Sequence, residues 1–132
     1  MNEIMREKIL LVEDDPLIRK SILEVLQRIG GYEVCEAEDG VEAVKLLQNR
    51  RFDLVITDLI MPRMDGLRLL KHIRSTSPQV PVIFMTGYLS KASGKRAFPG
   101  TECLTKPFGI RELLWAVRRC LPPKKRPKLT DH

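Results

Sequence analysis

No stretch of this 132-residue chain approaches the run of about 18 apolar residues that a membrane-spanning helix needs. A membrane-embedded protein is therefore not expected. Cysteine is scarce as well: Cys35, Cys103 and Cys120 are odd in number and lack ligand spacing. That excludes a disulfide framework or a cysteine-bound metal and predicts reduced thiols. The opening residues, Met-Asn-Glu-Ile-Met-Arg-Glu-Lys, lack the layout of a signal peptide. With the thiols, this points to the cytoplasm. Internal repeats are missing, and no helix-turn-helix follows residue 121.

What is present fits one domain. Apolar residues make up 43% and charged residues 30% of the chain, enough for a core without disulfide or metal staples. The formal net charge of +6 is uneven: Lys124, Lys125, Arg126 and Lys128 against Asp131 place half of it in 122–132. The expected division is a folded domain over 7–121 and a basic, flexible tail over 122–132. Nucleic-acid binding is not expected of 7–121. Any binding by the tail would show in its salt dependence.

The apolar run Ile9-Leu10-Leu11-Val12 predicts a buried strand over 8–12, and Asp15-Pro16 a capped helix start. Ile18, Ile22, Val25, Leu26 and Ile29 repeat at helical spacing up to the stop at Gly30-Gly31. A second strand is expected over 32–37. Asp39-Gly40-Val41-Glu42 resembles a capping box, and Val41, Val44 and Leu47 are placed on one helical face. Leu54, Val55 and Ile56 form the central strand, with Asp58 where it runs out into a turn. Asp65-Gly66 opens a third helix carrying Leu67, Leu70 and Ile73. A fourth strand over 80–85 ends at Thr86, a short helix is expected near 89–97, and a fifth strand covers 101–105. A last helix starts near Phe108, with Ile110, Leu113, Leu114, Val117 and Leu121 on one face, and Pro122-Pro123 stop it. Five alternations of strand and helix predict an α/β fold, a doubly wound parallel sheet with helices on both faces.

Each strand end carries a polar group: Glu13-Asp14, Asp58, Thr86 and Lys106. Right-handed crossovers bring these ends to one edge of the sheet. Carboxylates crowded there cannot all stay ionised without relief. A hard divalent cation such as Mg2+ could supply it, and so could the Lys106 ammonium. A cation and a lysine around a carboxylate make a phosphoryl site with a nucleophile in place.

At this point the chain resembles the receiver domain of two-component response regulators. The matching stretches are Ile9-Leu10-Leu11-Val12-Glu13-Asp14-Asp15-Pro16, Asp58-Leu59-Ile60-Met61-Pro62-Arg63-Met64-Asp65-Gly66, Met85-Thr86-Gly87 and Leu104-Thr105-Lys106-Pro107-Phe108. The resemblance implies a flavodoxin-like (βα)5 domain with strand order 2-1-3-4-5. It implies that Asp58 accepts a phosphoryl group from a sensor histidine kinase or phosphotransfer protein. It assigns Mg2+ to Glu13, Asp14, Asp58 and the Ile60 backbone carbonyl, with Asp14 favoured over Glu13 as a direct ligand. Thr86 and Lys106 would meet phosphoryl oxygens, and the Lys106–Pro107 bond would be cis. The output face would combine the helix near 89–97, the fifth strand and the last helix. Such a domain catalyses only its own phosphorylation and dephosphorylation and is not otherwise an enzyme.

Two departures stand out. Cys103, three before Lys106, occupies the place where the family carries a rotating aromatic, and a thiol cannot swing a ring. The stretch from Thr86 to Lys106 is also shorter than the family pattern. Taken singly, each site residue has an ordinary reading: Asp15 as a helix cap, Lys106 as a surface lysine, Thr86 as a strand end. His72, between Lys71 and Arg74, is expected to be solvated. Trp115 has Arg111, Arg118 and Arg119 at helical spacing. It reads either as a ring covered by arginine stems or as a partner or homodimer contact. An aspartyl-phosphate hydrolase would need a second acid at Ile60, which argues against that reading. The alternative is an interaction module of the same fold that works without phosphorylation.

Overall fold

The computed structural model describes residues 6–61, 63–87 and 100–121. Five strands, β1 (Lys8–Val12), β2 (Glu33–Ala37), β3 (Leu54–Asp58), β4 (Val82–Thr86) and β5 (Thr101–Thr105), form one sheet. Its order is β2-β1-β3-β4-β5 and every pair is parallel, as expected. Four α-helices are described: α1 (Pro16–Glu24), α2 (Gly40–Asn49), α3 (Gly66–Thr76) and α4 (Ile110–Cys120). The helix expected near 89–97 and the tail over 122–132 lie outside the described residues.

Successive strand residues point to opposite faces, so two cores form. Ile9, Leu11, Leu54, Ile56, Ile83 and Met85 pack beneath Ile22 and Leu26 on one side and Leu113, Ala116 and Val117 of α4. Leu10, Val12, Val55, Val82 and Phe84 pack on the other face with Ala43 of α2 and Leu69, Leu70 and Ile73 of α3. Burial on both faces is why the central strands read as continuous apolar runs.

The helix starts follow the sequence. The Asp15 carboxylate accepts from the Leu17 and Ile18 amides at 2.9 and 3.3 Å, with Pro16 at the first helical position. Asp39 accepts from the Glu42 amide at 2.8 Å and Asp65 from the Arg68 amide at 2.9 Å. The box at α2 is shifted by one residue, since Glu42 reaches back to the Glu38 amide. Past Glu24 the helix widens into a π-helical turn, Val25–Ile29, which the spacing alone did not predict.

The expected apolar faces need correction. Val41, Leu67 and Ile110 are exposed, together with Ile18 and Ile29. The expected Ile22, Leu26, Leu70, Ile73, Leu113, Val117 and Leu121 are buried, and so are Ala43, Leu69 and Ala116, which the periodicity did not select. Val41, Leu67 and Ile110 belong to first helical turns, as does the exposed Leu17. Helices in this topology begin beyond the carboxyl edge of the sheet, so their first turns have no strand beneath them. His72 is a second correction: its Nε2 is buried and makes no hydrogen bond. The residue as a whole is half-buried, so only part of the ring meets solvent. Trp115 stays 67% exposed, and Arg119 turns instead to Glu102 at 2.8 Å. A ring that open is not sheathed by arginine stems.

Candidate phosphoryl site

The strand ladders continue past their ends and set the edge. The Glu13 amide donates to the Ala37 carbonyl, the Leu59 amide to Met85 and the Lys106 amide to Thr86, at 3.0, 2.9 and 2.7 Å. These bonds put the loops after β1, β3 and β5 in one layer. Lys106 is placed directly beside Thr86, the buried last residue of β4.

At that edge the Lys106 Nζ donates to Glu13 Oε1 and to Asp58 Oδ2, each at 3.0 Å. Glu13 Oε2 accepts from the Asp15 amide at 3.0 Å, and Asp58 Oδ1 from the Ile60 amide at 3.3 Å. The Glu13 side chain is 1% exposed and that of Asp58 13%. Carboxylate oxygens of Glu13, Asp14 and Asp58 lie within 4.8 Å of one another, and Asp14 is open to solvent. Asp14 makes no hydrogen bond or ion pair among the described residues. This all-oxygen donor set, with one arm uncommitted, suits a hard divalent cation.

The electrostatics match the geometry. Burial pushes the Glu13 carboxyl above its ordinary range. The Asp58 charge adds to this, and the Asp15 amide and Lys106 only partly offset it. Burial alone would weaken the Lys106 ammonium, but its hydrogen bonds and ion pairs with Asp58 and Glu13 outweigh that and raise its pKa. The lysine is thus charged and committed to the two acids.

All the sequence-named groups reach this edge: Glu13, Asp14, Asp58, Thr86, Lys106 and the backbone of Ile60. The Lys106–Pro107 bond is cis, as expected. Asp15 is a cap, also as expected. Cys103 lies on β5 against the α2–α3 core; burial and then the Glu102 charge push its thiol pKa up. Sequence reasoning missed three supports. Arg19 donates to the Glu13 carbonyl at 2.6 Å and pairs with Glu36 at 3.0 Å, fixing the β1 loop. Asp39, 3% exposed, pairs with Arg63, whose φ of 70° is left-handed. Gly66 packs against the Asp58 carbonyl. The only signal for Gly66 was Asp65-Gly66, which read as a helix start.

Comparison with known proteins gives the same picture. The family model of the response regulator receiver domain matches residues 9–118. Response regulator MprA of Mycobacterium sp. (strain KMS) is 39% identical over 120 residues, covering 89% of this chain and 51% of that protein. The chain therefore spans about half the length of such relatives. Among solved structures, chemotaxis protein CheY4 of Vibrio cholerae superposes with a TM-score of 0.81 at 37% identity, over 89% of this chain and all of that one. The receiver domain of sensor histidine kinase PA1611 from Pseudomonas aeruginosa PAO1, with a magnesium ion coordinated in its active site cleft, gives 0.74 at 31% identity, over 87% and 97%. With the family model running from β1 into the last helix, and a fold and site of the same design, the chain belongs to the response regulator receiver domains of two-component systems.

Proposed function

We propose that Asp58 is the phosphoacceptor of this receiver. Its carboxylate oxygen attacks the phosphorus of a phosphohistidine on a sensor histidine kinase or phosphotransfer protein. The P–N bond breaks, the pair returns to the imidazole, and an aspartyl phosphate remains. Glu13, Asp14, Asp58 and the Ile60 carbonyl are the groups that would hold Mg2+. When bound, the ion would neutralise developing charge on the phosphoryl oxygens. Lys106 leaves its bond to Asp58 for a phosphoryl oxygen, and the Thr86 hydroxyl donates to another. The observation that carries this reading is the Lys106 ammonium 3.0 Å from both Asp58 and Glu13, a cation already committed to the nucleophile.

The surroundings fit such a partner. Leu17, Ile60, Leu67 and Ile110 are exposed on loops and first turns at the carboxyl edge of the sheet. Exposed apolar side chains beside the acidic site give a docking partner apolar surface to bury. The new dianion then acts on the face that carries β5 and α4, where Trp115 offers a contact to a target or a second copy. No described helix is long and apolar enough to cross a membrane, and a cytoplasmic setting is part of the proposal.

The deciding experiment is incubation with acetyl phosphate and Mg2+, read by intact mass and by size-exclusion elution. Wild type gains one phosphoryl mass and Asp58→Asn gains none. Equal labelling of both proteins overturns the assignment; no labelling of either favours the phosphorylation-independent module.

The lifetime of the adduct follows from Ile60. Its side chain is 72% exposed beside Asp58 and offers no group to orient water. A long-lived phosphoryl form is expected, and Ile60→Asn, which adds a group able to orient the attacking water, should shorten it. Phosphate release after removal of excess donor measures this.

A further inference from the structure

Of the acids at the phosphoryl site, Asp14 has the least to hold it. It is exposed and makes no hydrogen bond or ion pair among the described residues. Its aim is therefore set through the backbone on either side. After it, the Asp15 carboxylate caps α1, and the Asp15 carbonyl accepts from the Arg19 amide at 2.9 Å. Before it, β1 ends at Val12, and the peptide joining Glu13 to Asp14 lies beyond the last paired strand residue. The carbonyl oxygen of that peptide accepts from Arg19 Nη1 at 2.6 Å. Arg19 Nε donates in turn to Glu36 Oε1 of β2 at 3.0 Å.

The ordinary reading is a surface ion pair on a helix. Two observations argue against it. Arg19 stands at the end of the first turn of α1, where a cation opposes the helix dipole. Its side chain is only 20% exposed, against 41% for Glu36, so most of it has left water. The short charge-assisted bond to the Glu13 carbonyl is what offsets both. Charge alone would make Arg19 a handicap, since a guanidinium next to the Glu13–Asp14 peptide repels a cation. A geometric role and a purely electrostatic one therefore predict opposite signs when Arg19 is removed.

We propose that Arg19 is a positioning residue for the divalent cation: by holding the Glu13–Asp14 peptide it aims the uncommitted Asp14 carboxylate at the site, and Glu36 keeps the guanidinium in place. The inference rests on the Mg2+ site proposed above. Side chains that orient a metal ligand without touching the ion change metal affinity by about 10–100-fold when lost.

The test is the Mg2+ affinity of the full chain, read by calorimetry and by the amide shifts of Asp14 and Asp58 at a temperature where every variant is folded. Arg19→Met should bind Mg2+ about tenfold more weakly than wild type. Arg19→Lys keeps the charge without the planar link to Glu36 and should fall between the two. Arg119→Met removes another arginine ion pair, that with Glu102 on β5, and should leave the affinity unchanged. At saturating Mg2+, Arg19→Met should take phosphate from acetyl phosphate as fast as wild type, because Asp58 itself is undisturbed. Equal or tighter Mg2+ binding by Arg19→Met, an equal loss in Arg119→Met, or labelling that stays slow at saturating Mg2+ overturns the proposal and leaves the metal site standing. Wild type that shows no saturable Mg2+ binding overturns the site and the proposal together.

Discussion

Lys106→Met should lower stability by roughly 2–3 kcal/mol at neutral pH, a large share of the 5–15 typical of a domain. Breaking a buried ion pair by removing one partner costs about 3–5 kcal/mol, and the remaining exposure of this lysine, 23%, reduces that. Without it, Glu13 and Asp58 face each other with only the Asp15 and Ile60 amides for relief. The pH dependence gives the loss a signature. Glu13 already holds its proton above the ordinary 4.5, chiefly through burial, and losing Lys106 removes one of the influences that lower it. A folded state that binds the proton more tightly than the unfolded chain loses stability as pH rises from 4.5 through the folded value. The variant should therefore be closest to wild type in mild acid and fall behind as pH increases. Wild type carries the Lys106 contribution in full below 10.5 and loses it only as pH climbs through the raised folded value. Mg2+ should restore much of the variant's deficit. Urea unfolding across pH measures all of this, and equal midpoints at pH 7 would show that the lysine is not compensating the acids.

Gly66→Ala is the second large effect, and its cause is steric. A Cβ at Gly66 would stand 2.8 Å from the Asp58 carbonyl oxygen and 3.0 Å from both the Leu59 Cα and a Phe84 ring carbon. Two of these are backbone atoms and cannot rotate aside. Alanine normally favours a helix by up to about 1 kcal/mol over glycine, whereas overpacking costs typically 1–3. Displacing Asp58 adds to the second figure, so a net loss of about 1–2 kcal/mol is expected, with slower labelling by acetyl phosphate. Gly87→Ala serves as a control for stability, because no atom of the described residues lies within 4 Å of its added carbon. Similar melting points for the two variants would contradict the packing argument.

The site was more legible in the sequence than the packing that supports it. Glu13, Asp14, Asp58 and Lys106 sit at chain positions that a parallel sheet must bring together, so counting strands sufficed. Lateral packing obeys a different rule. Periodicity favours large apolar residues and selected Val41, Leu67 and Ile110. It also selected Leu70, Ile73, Leu113 and Val117, which are buried, but it passed over the buried Ala43, Leu69 and Ala116. Gly40 shows why size misleads: an added Cβ would come within 2.7 Å of Met64, leaving no room for a bulky side chain. His72 escaped notice because its charged neighbours Lys71 and Arg74 suggested solvent, while its own Nε2 is buried. The roles of Arg63 and Arg19 depend on loop geometry that has no sequence period.

The sheet order has a kinetic side. β1 and β3 each have a strand on both sides, whereas β5 has only β4. Outer strands exchange amide hydrogens through local opening that leaves the centre closed. The lysine rides on the lip of the sheet and the acids on its keel. Transient unzipping of β5 thus separates ammonium from carboxylates while Glu13 and Asp58 stay anchored, and deuterium uptake at Leu104 and Thr105 should run ahead of uptake at Leu11 and Ile56.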